Sequence, residues 1–80
     1  PTVLTAQLAQ EHIQDELEDL EKELGKERFV TIKAKVEQDE NGVWKVTDNS
    51  GLSAEDQAFA QKYANLLNAN QDIALLMDNR

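Results

Sequence analysis

The 80-residue chain contains no cysteine, which excludes disulfide bonds, thiol catalysis, cysteine-ligated zinc and iron–sulfur clusters. It has a single histidine and three glycines, and because the glycines are scattered there is no glycine-rich loop to hold a phosphate. No apolar run approaches the ~18 residues of a membrane-spanning helix. These absences weigh against catalysis, and we expect a non-enzymatic protein without a cofactor.

The length predicts a single small domain over residues 1–80. A domain of this size buries only roughly 60% of its unfolded surface, so the core must be thin. The first residues lack the basic start and apolar core of a signal peptide, and a chain without cysteine suits a reducing compartment. We therefore expect a cytoplasmic protein.

The charge is strongly one-sided. Sixteen acidic residues stand against eight basic ones, giving a net charge of −8. Binding to phosphates needs clustered lysine and arginine, so we expect neither nucleic acid nor a membrane surface as a direct ligand. The acidic excess favours a protein partner with a basic surface.

A regular apolar stripe predicts a first helix from about Leu4 to Leu24. Its members recur at alternating steps of three and four residues, which places them on one helix face. Gly25 directly after the stripe is a helix stop signal. We expect the stripe to pack within the domain, with a partner helix as the alternative: Val3, Ala6, Gln10, Ile13, Leu17, Leu20 and Leu24.

Apolar and polar residues alternate from Val30 to Thr47, which predicts an antiparallel β-hairpin. A two-residue loop at Asn41-Gly42 would place Val36 opposite Thr47 and mix apolar with polar residues. A three-residue loop, 40–42, instead pairs Val36 with Val46, and it needs Gly42 in a left-handed conformation. The same register sets Gln38 opposite Trp44 and Glu37 opposite Lys45. In the first strand, four apolar residues would share the inner face: Val30, Ile32, Ala34 and Val36.

A second helix is predicted to begin after Ser53, whose hydroxyl is suited to cap it, with acidic residues in its first turn. The segment 68–72 is a weak helix former, so we expect the helix either to kink there or to restart at Asn70. The apolar positions are Phe59, Tyr63, Leu66, Leu67, Ile73 and Met77, with small Ala58 and Ala74. The predicted fold is α+β, with the order helix, antiparallel β-hairpin, helix (αββα).

A lone two-stranded sheet is marginally stable in water and has two open edges. We therefore expect the hairpin to pack on the helices and to supply the seam of a homodimer, or else part of the core. The residues of this dimer or core seam are Ile32, Val36, Trp44 and Val46.

Two parts of the sequence resemble metal sites, but a simpler interpretation accounts for each. His12 could bind a metal with Glu16 and Asp19, but a lone histidine beside exposed carboxylates is a poor ligand set. The segment 37–48 has acidic or amide residues at spacings that resemble a calcium-binding loop. Its flanks alternate like strands, however, so the hairpin explains it with fewer assumptions. We expect no metal.

Eight carboxylates stand between Glu11 and Glu27, opposed locally by only Lys22 and Lys26. On a helix, residues three or four apart have side chains ~5–6 Å apart, which is comparable with the phosphate spacing of a nucleic-acid strand. Three lysines, at 33, 35 and 45, are expected on the outer face of the sheet. The candidate partner-binding face, which could instead be merely solvated, consists of Asp15, Glu16, Glu18, Asp19 and Glu23.

Two functions follow from these features. The first is a small acidic protein-binding module that inhibits or regulates a basic nucleic-acid-handling protein, acting as a nucleic-acid mimic. Many phage-encoded and plasmid-encoded inhibitors have this size and charge, which is an analogy of character only. The alternative is a structural or accessory homodimeric subunit whose charge serves solubility alone.

Overall fold

The computed structural model describes residues 2–78, with side chains for 5–76. The elements are α1 (Thr2–Leu24), α2 (Lys26–Ala34), β1 (Val36–Gln38), β2 (Trp44–Val46) and α3 (Ala54–Asp78). The predicted α+β architecture is confirmed: a long helix, a two-stranded antiparallel hairpin and a second long helix. The short helix α2 is an addition that the sequence interpretation did not contain.

Gly25 ends α1 and begins α2, as its predicted role as a stop signal requires. Its backbone angles are φ 85° and ψ 155°, a region that residues with a Cβ rarely occupy. The Gly25 N–H donates to the Glu21 carbonyl at 2.9 Å, and the Gly25 carbonyl accepts from the Phe29 N–H at 2.9 Å. Gly25 is therefore the one residue between the two helices.

The predicted first strand is wrong over residues 30–34, which belong to α2. The reason is a second periodicity: Phe29 and Ile32 are three residues apart, a spacing that places both side chains on one face of a helix. The Phe29 ring packs edge-on against Tyr63, with centroids 5.6 Å apart. Thr31 fits the helix because its hydroxyl donates to the Glu27 carbonyl at 3.0 Å. Tertiary contact thus overrides the strand preference of β-branched residues.

The hairpin itself has the predicted register. Val36 pairs with Val46, and Gln38 pairs with Trp44 across the two strands. The loop is the three-residue one, since the Asp39 N–H donates to the Val43 carbonyl at 2.9 Å. Gly42 has φ 83°, the left-handed conformation that this loop demands. The pairing of Glu37 with Lys45 is also as predicted.

Helix α3 begins as the sequence predicts. The Ser53 hydroxyl accepts from the Asp56 N–H at 3.1 Å, and Glu55 and Asp56 lie in the first turn. The helix then runs to Asp78 without a break, so it does not restart at Asn70, while the kink expected near 68–72 stays a prediction. Polar side chains in this segment contact the hairpin, which offsets their weak helix propensity.

The main core lies where α1, α2, the hairpin and the first half of α3 meet. Its buried members are Leu20, Leu24, Ile32, Val36, Ala60 and Ala64. The predicted α1 stripe is confirmed, because Ala6 and Ile13 are buried as well. In α3, Leu66 is buried but Ala58 is exposed, and the buried Ala60 and Ala64 were not anticipated. The side chains of Val3 and Met77 lie outside the described ones.

Helices α1 and α3 run antiparallel. Leu20 shares the core cluster with Ala60 and Ala64, whereas Ala6 lies roughly 21 Å earlier along α1. In the described part of the chain, α1 packs only against α2, which is at its other end, and α3. The second half of α3 must therefore bury Ala6. This two-helix end extends beyond the hairpin in a body measuring 43 × 29 × 16 Å.

Candidate functional site

The carboxylates of α1 lie on the side opposite its buried stripe. Asp15, Glu18, Asp19 and Glu23 are exposed, and Glu16 is half-buried beside the stripe. The helix repeat sorts them into two ridges, one through Asp15 and Glu18 and one through Glu16, Asp19 and Glu23. We refer to these five residues as the acidic face.

Few cations neutralise the acidic face. Among residues 2–78, its one ion pair joins His12 Nε2 to Glu16 Oε1 at 3.4 Å. The His12 side chain is largely exposed, as predicted. This pair is charged only while the histidine is protonated. No lysine or arginine of the described chain lies within ion-pair distance of the five carboxylates.

Three basic residues, Arg28, Lys35 and Lys45, form ion pairs elsewhere in the fold. Arg28 on α2 pairs with Asp56 and, at 3.5 Å, with Glu55, both in the first turn of α3. These carboxylates raise the pKa of Arg28 further. Its guanidinium also stands 6.0 Å from the centre of the Phe59 ring. One arginine therefore fastens α2 to α3 and is not available to α1.

The expected lysine cluster on the outer sheet face does not form. Lys33 lies on helix α2, with its ammonium 5.5 Å from the centre of the Phe29 ring. Lys35 pairs with Asp48 at 3.3 Å, and Lys45 pairs with Asp39 at 3.6 Å. The hairpin side thus carries nearly balanced charge, with three lysines against four carboxylates over residues 33–48, and most of the net charge belongs to α1.

Two aspartates, one in the hairpin loop and one in the loop after the hairpin, accept hydrogen bonds from three backbone amides and one hydroxyl, which lower their pKa values. Asp39 Oδ1 accepts from the Asn41 and Val43 N–H groups at 2.8 and 3.0 Å, which lowers the pKa of Asp39. Asp48 Oδ1 accepts from the Ser50 hydroxyl at 2.6 Å and its N–H at 2.9 Å. These bonds, with Lys35, lower the pKa of Asp48 to about 2.

Replacing Ser50 by alanine should raise the pKa of Asp48 from about 2 part of the way to its ordinary 3.8, because the hydroxyl bond is the largest cause. A carboxyl-detected NMR titration measures this, and the pKa of Asp39 should not move. In the native protein the folded pKa lies below the unfolded one. The stabilisation from Asp48 is therefore complete above pH 3.8 and is lost as pH falls towards 2. An unchanged Asp48 midpoint would contradict this assignment.

The predicted seam lies inside one copy of the chain. Ile32 and Val36 are buried in the core, and Trp44 and Val46 are half-buried against it. Their burial within one copy of the chain is a core role. Of the two roles that the sequence left open for these residues, the core role is seen in the structure, and the dimer role stays a prediction.

Side chains of α3 cover the outer edge of β2. The Trp44 N–H donates to Asn68 Oδ1 at 2.7 Å, and Asn68 Nδ2 donates back to the Trp44 carbonyl at 2.9 Å. One turn on, Gln71 Nε2 donates to the Gly42 carbonyl at 2.8 Å, and Gln38 Nε2 donates to Gln71 Oε1 at 2.9 Å. The amides of α3 therefore replace a neighbouring strand, which closes this edge to further pairing.

Asn68 and Gln71 were missed because the sequence interpretation treated 68–72 only as a weak helix former. They follow the buried Ala64 at steps of four and three, so they share its helix face. Amide side chains that continue an apolar stripe could have indicated a contact with exposed backbone. The identity of that backbone depends on the hairpin position, which the helix sequence does not contain.

No group of three or more His, Asp or Glu side chains able to hold a metal ion occurs in the described chain. The segment that resembles a calcium loop forms the hairpin instead, and Asp39 uses its carboxylate on the loop amides. No described helix is long and apolar enough to cross a membrane.

Comparison of the chain with protein-family models, with the curated proteins and with the solved structures gives no match. Its function must therefore be argued from its own surfaces.

Proposed function

We propose that the protein is a non-enzymatic binding module that docks its acidic face on a basic protein and thereby inhibits or regulates it. The observation that carries this proposal is the negative charge of α1, whose five acidic-face carboxylates form no ion pair with a lysine or arginine of the described chain. The lysines and arginines that form ion pairs do so with other carboxylates, in contacts that hold α2, the hairpin and α3 in place. We place this activity in the cytoplasm, in keeping with a chain that lacks cysteine.

The partner that such a face suits best is a protein that handles nucleic acid. Carboxylates in two ridges, with Cβ atoms ~5–6 Å apart along each ridge, present a regular array of negative charge on a rigid helix. A groove of lysine and arginine that receives phosphates would accept this array with the same electrostatics. The acidic face would then act as a nucleic-acid mimic and compete with the natural ligand.

Neutralising part of the acidic face should abolish this binding. We expect a variant with Glu16→Gln, Asp19→Asn and Glu23→Gln to lose at least tenfold in affinity, because each removed charge weakens both the steering and the contact. Proteins captured from the native host on immobilised wild-type and variant chains would be identified by mass spectrometry. The expected partner is basic, is released by salt and is displaced by added DNA.

The matched control neutralises three other carboxylates: Glu37→Gln, Glu40→Gln and Asp72→Asn. These residues are exposed, lie off α1 and change the net charge by the same amount. The control should retain the partner. Equal retention by both triple variants would show that net charge or another surface carries binding, and it would end the acidic-face proposal.

The alternative function, a structural or accessory homodimeric subunit, also has a specific observation in its favour. Leu75 and Leu76 near the end of α3 are both more than half exposed, and neighbouring exposed apolar side chains are one feature of a contact surface. The sequence interpretation placed the dimer seam on the hairpin, where α3 amides cover the outer edge of β2. A homodimer seam on the hairpin would therefore use the edge of β1.

A further inference from the structure

We infer that α1 can exchange between two copies of this chain, so that α1 of each copy packs on α3 of the other. Exchange of an identical element between protomers is a low-cost route to a dimer, because its contacts already exist in the monomer. The hinge for the exchange is Gly25, the one residue between α1 and α2. This domain-swapped dimer supplies an interface for the alternative function without using the hairpin, and it is independent of the acidic-face proposal.

Gly25 interrupts a segment that is otherwise suited to one continuous helix. The other residues from 20 to 28 are leucine, glutamate, lysine and arginine, which all favour helix. From the start of α1 to the end of α2 the chain contains no proline and no second glycine. Since α1 ends at Leu24 and α2 begins at Lys26, the break depends on the backbone conformation of a single residue.

The break at Gly25 leaves backbone groups unpaired on both of its sides. No side chain caps the start of α2. Within the described chain, the N–H groups of residues 26–28 form no hydrogen bond, and neither do the carbonyls of residues 22–24. With Gly25 in the helical conformation, each of these donors would reach the carbonyl four residues before it. A continuous helix therefore gains three backbone hydrogen bonds in each copy.

A continuous helix cannot keep α1 on the α3 of its own copy. Gly25 has φ 85° and ψ 155°. Rotation to the helical values of about −63° and −42° reorients all of α1 relative to α2. Helix α2 stays on α3 through the Phe29–Tyr63 ring contact and the Arg28 ion pairs. In the described chain α1 packs only on α2 and α3, so no other element retains it.

The surface that α1 vacates has one occupant that matches it, namely α1 of a second copy. Leu20 of α1 shares the core cluster with Ala60 and Ala64 of α3, and no polar or charged residue is buried in the described chain. Such an apolar surface needs a matching apolar stripe, which α1 carries. The exchanged α1 would regain the same contacts with the same side chains, and its acidic face would stay exposed.

The residue at position 25 sets the balance between monomer and dimer. In the monomer, α1 is tethered beside its own α3, so the dimer forms only where protein concentration offsets that advantage. Glycine favours the monomer, because it occupies φ 85° without strain. No atom beyond the adjacent residues lies within 4 Å of the place where a Cβ at Gly25 would stand. Another residue there is therefore opposed only by the backbone penalty of positive φ.

Gly25→Ala tests the exchange directly, because alanine disfavours positive φ and favours helix more than glycine does. Both effects act in each of the two copies, so we expect dimerisation to be about a hundredfold tighter than in the wild type. Sedimentation of the full chain at about 1 to 200 µM measures this. The matched control is Gly51→Ala: Gly51 has φ 80° and equally open surroundings, so it incurs a similar backbone penalty, but it joins no two helices. The control should stay monomeric.

Isotope-filtered NMR distinguishes the exchange of α1 from side-by-side association. In dimers of labelled and unlabelled Gly25→Ala chains, contacts should appear between Leu20 of one copy and the Ala60 and Ala64 methyl groups of the other. The wild type should show the same contacts in a minor dimer at about 1 mM, and it decides the matter if circular dichroism shows that Gly25→Ala has lost its helices. A folded Gly25→Ala monomer, equal dimerisation of Gly51→Ala, or the absence of these contacts between copies would overturn the exchange and leave the acidic-face proposal standing.

Discussion

Replacing Ile32 by lysine is expected to unfold the protein, whereas the same replacement at Val30 should leave it folded. Ile32 is 1% exposed and lies in the core cluster, while Val30 on the same helix is 57% exposed. Truncating a buried isoleucine to alanine already costs about 2–5 kcal/mol, and a buried ammonium without a partner adds to that cost. A chain of this length has a total stability of only about 4–12 kcal/mol.

Urea denaturation followed by circular dichroism would measure both variants. Val30→Lys serves as the control, because it introduces the same side chain two residues away in the same helix. In a strand, residues 30 and 32 share one face, so both lysines would be equally damaging. In helix α2 they point about 200° apart, and only one is damaging. Equal destabilisation would contradict the helical assignment of this segment.

This pair of residues also shows how far the sequence could predict the fold. Val30, Ile32 and Val36 satisfy a period of two, and their β-branched side chains favour a strand. Counting Phe29 with Ile32 satisfies a helical period equally well. The choice between the two depends on contacts with α3, namely Phe29 against Tyr63 and the Arg28 ion pairs. Such contacts are remote in sequence and no local pattern contains them.

The hairpin register, by contrast, was predictable, because parity allows only one loop length to place Val36 opposite Val46. The start of α3 was predictable for a similar reason, since the Ser53 cap is a local interaction. The structure confirms local rules where nothing distant competes with them. It departs from them where packing between distant elements decides the outcome.

The exposure of the acidic face could also be anticipated, because the buried stripe of α1 fixes which side of the helix meets solvent. The positions of the basic side chains in the fold could not be anticipated from the sequence. Lys33 lies in helix α2 and not in the predicted sheet, and Lys35 forms an ion pair with Asp48, which lies in the loop after β2. Whether an acidic surface stays uncompensated depends on where the basic side chains are engaged, which is a property of the folded chain.

Removing the amide side chain that covers the outer edge of β2 is expected to destabilise the protein. Asn68→Ala removes both hydrogen bonds to the Trp44 backbone, which is partly buried. A buried donor or acceptor left without a partner costs about 1–3 kcal/mol. We expect a loss of that size in the free energy of unfolding, with faster hydrogen exchange at the Trp44 amide. That amide belongs to a strand of only three residues, so the hairpin should loosen before the helices do.

Asn65→Ala is the matched control for this prediction. Asn65 lies one turn earlier on the same helix, is exposed, and accepts only from Gln61 Nε2 at 3.0 Å. Its replacement should change stability by less than about 0.5 kcal/mol, as surface substitutions usually do. Asn68→Asp provides a further test, because it keeps the acceptor for the Trp44 N–H but loses the donor and sets a negative charge beside the Trp44 carbonyl. It should therefore be no more stable than Asn68→Ala. If Asn68→Ala and Asn65→Ala proved equally mild, solvent would satisfy the β2 edge as well as α3 does. That edge would then be open to the strand pairing that its amide cover is inferred to prevent.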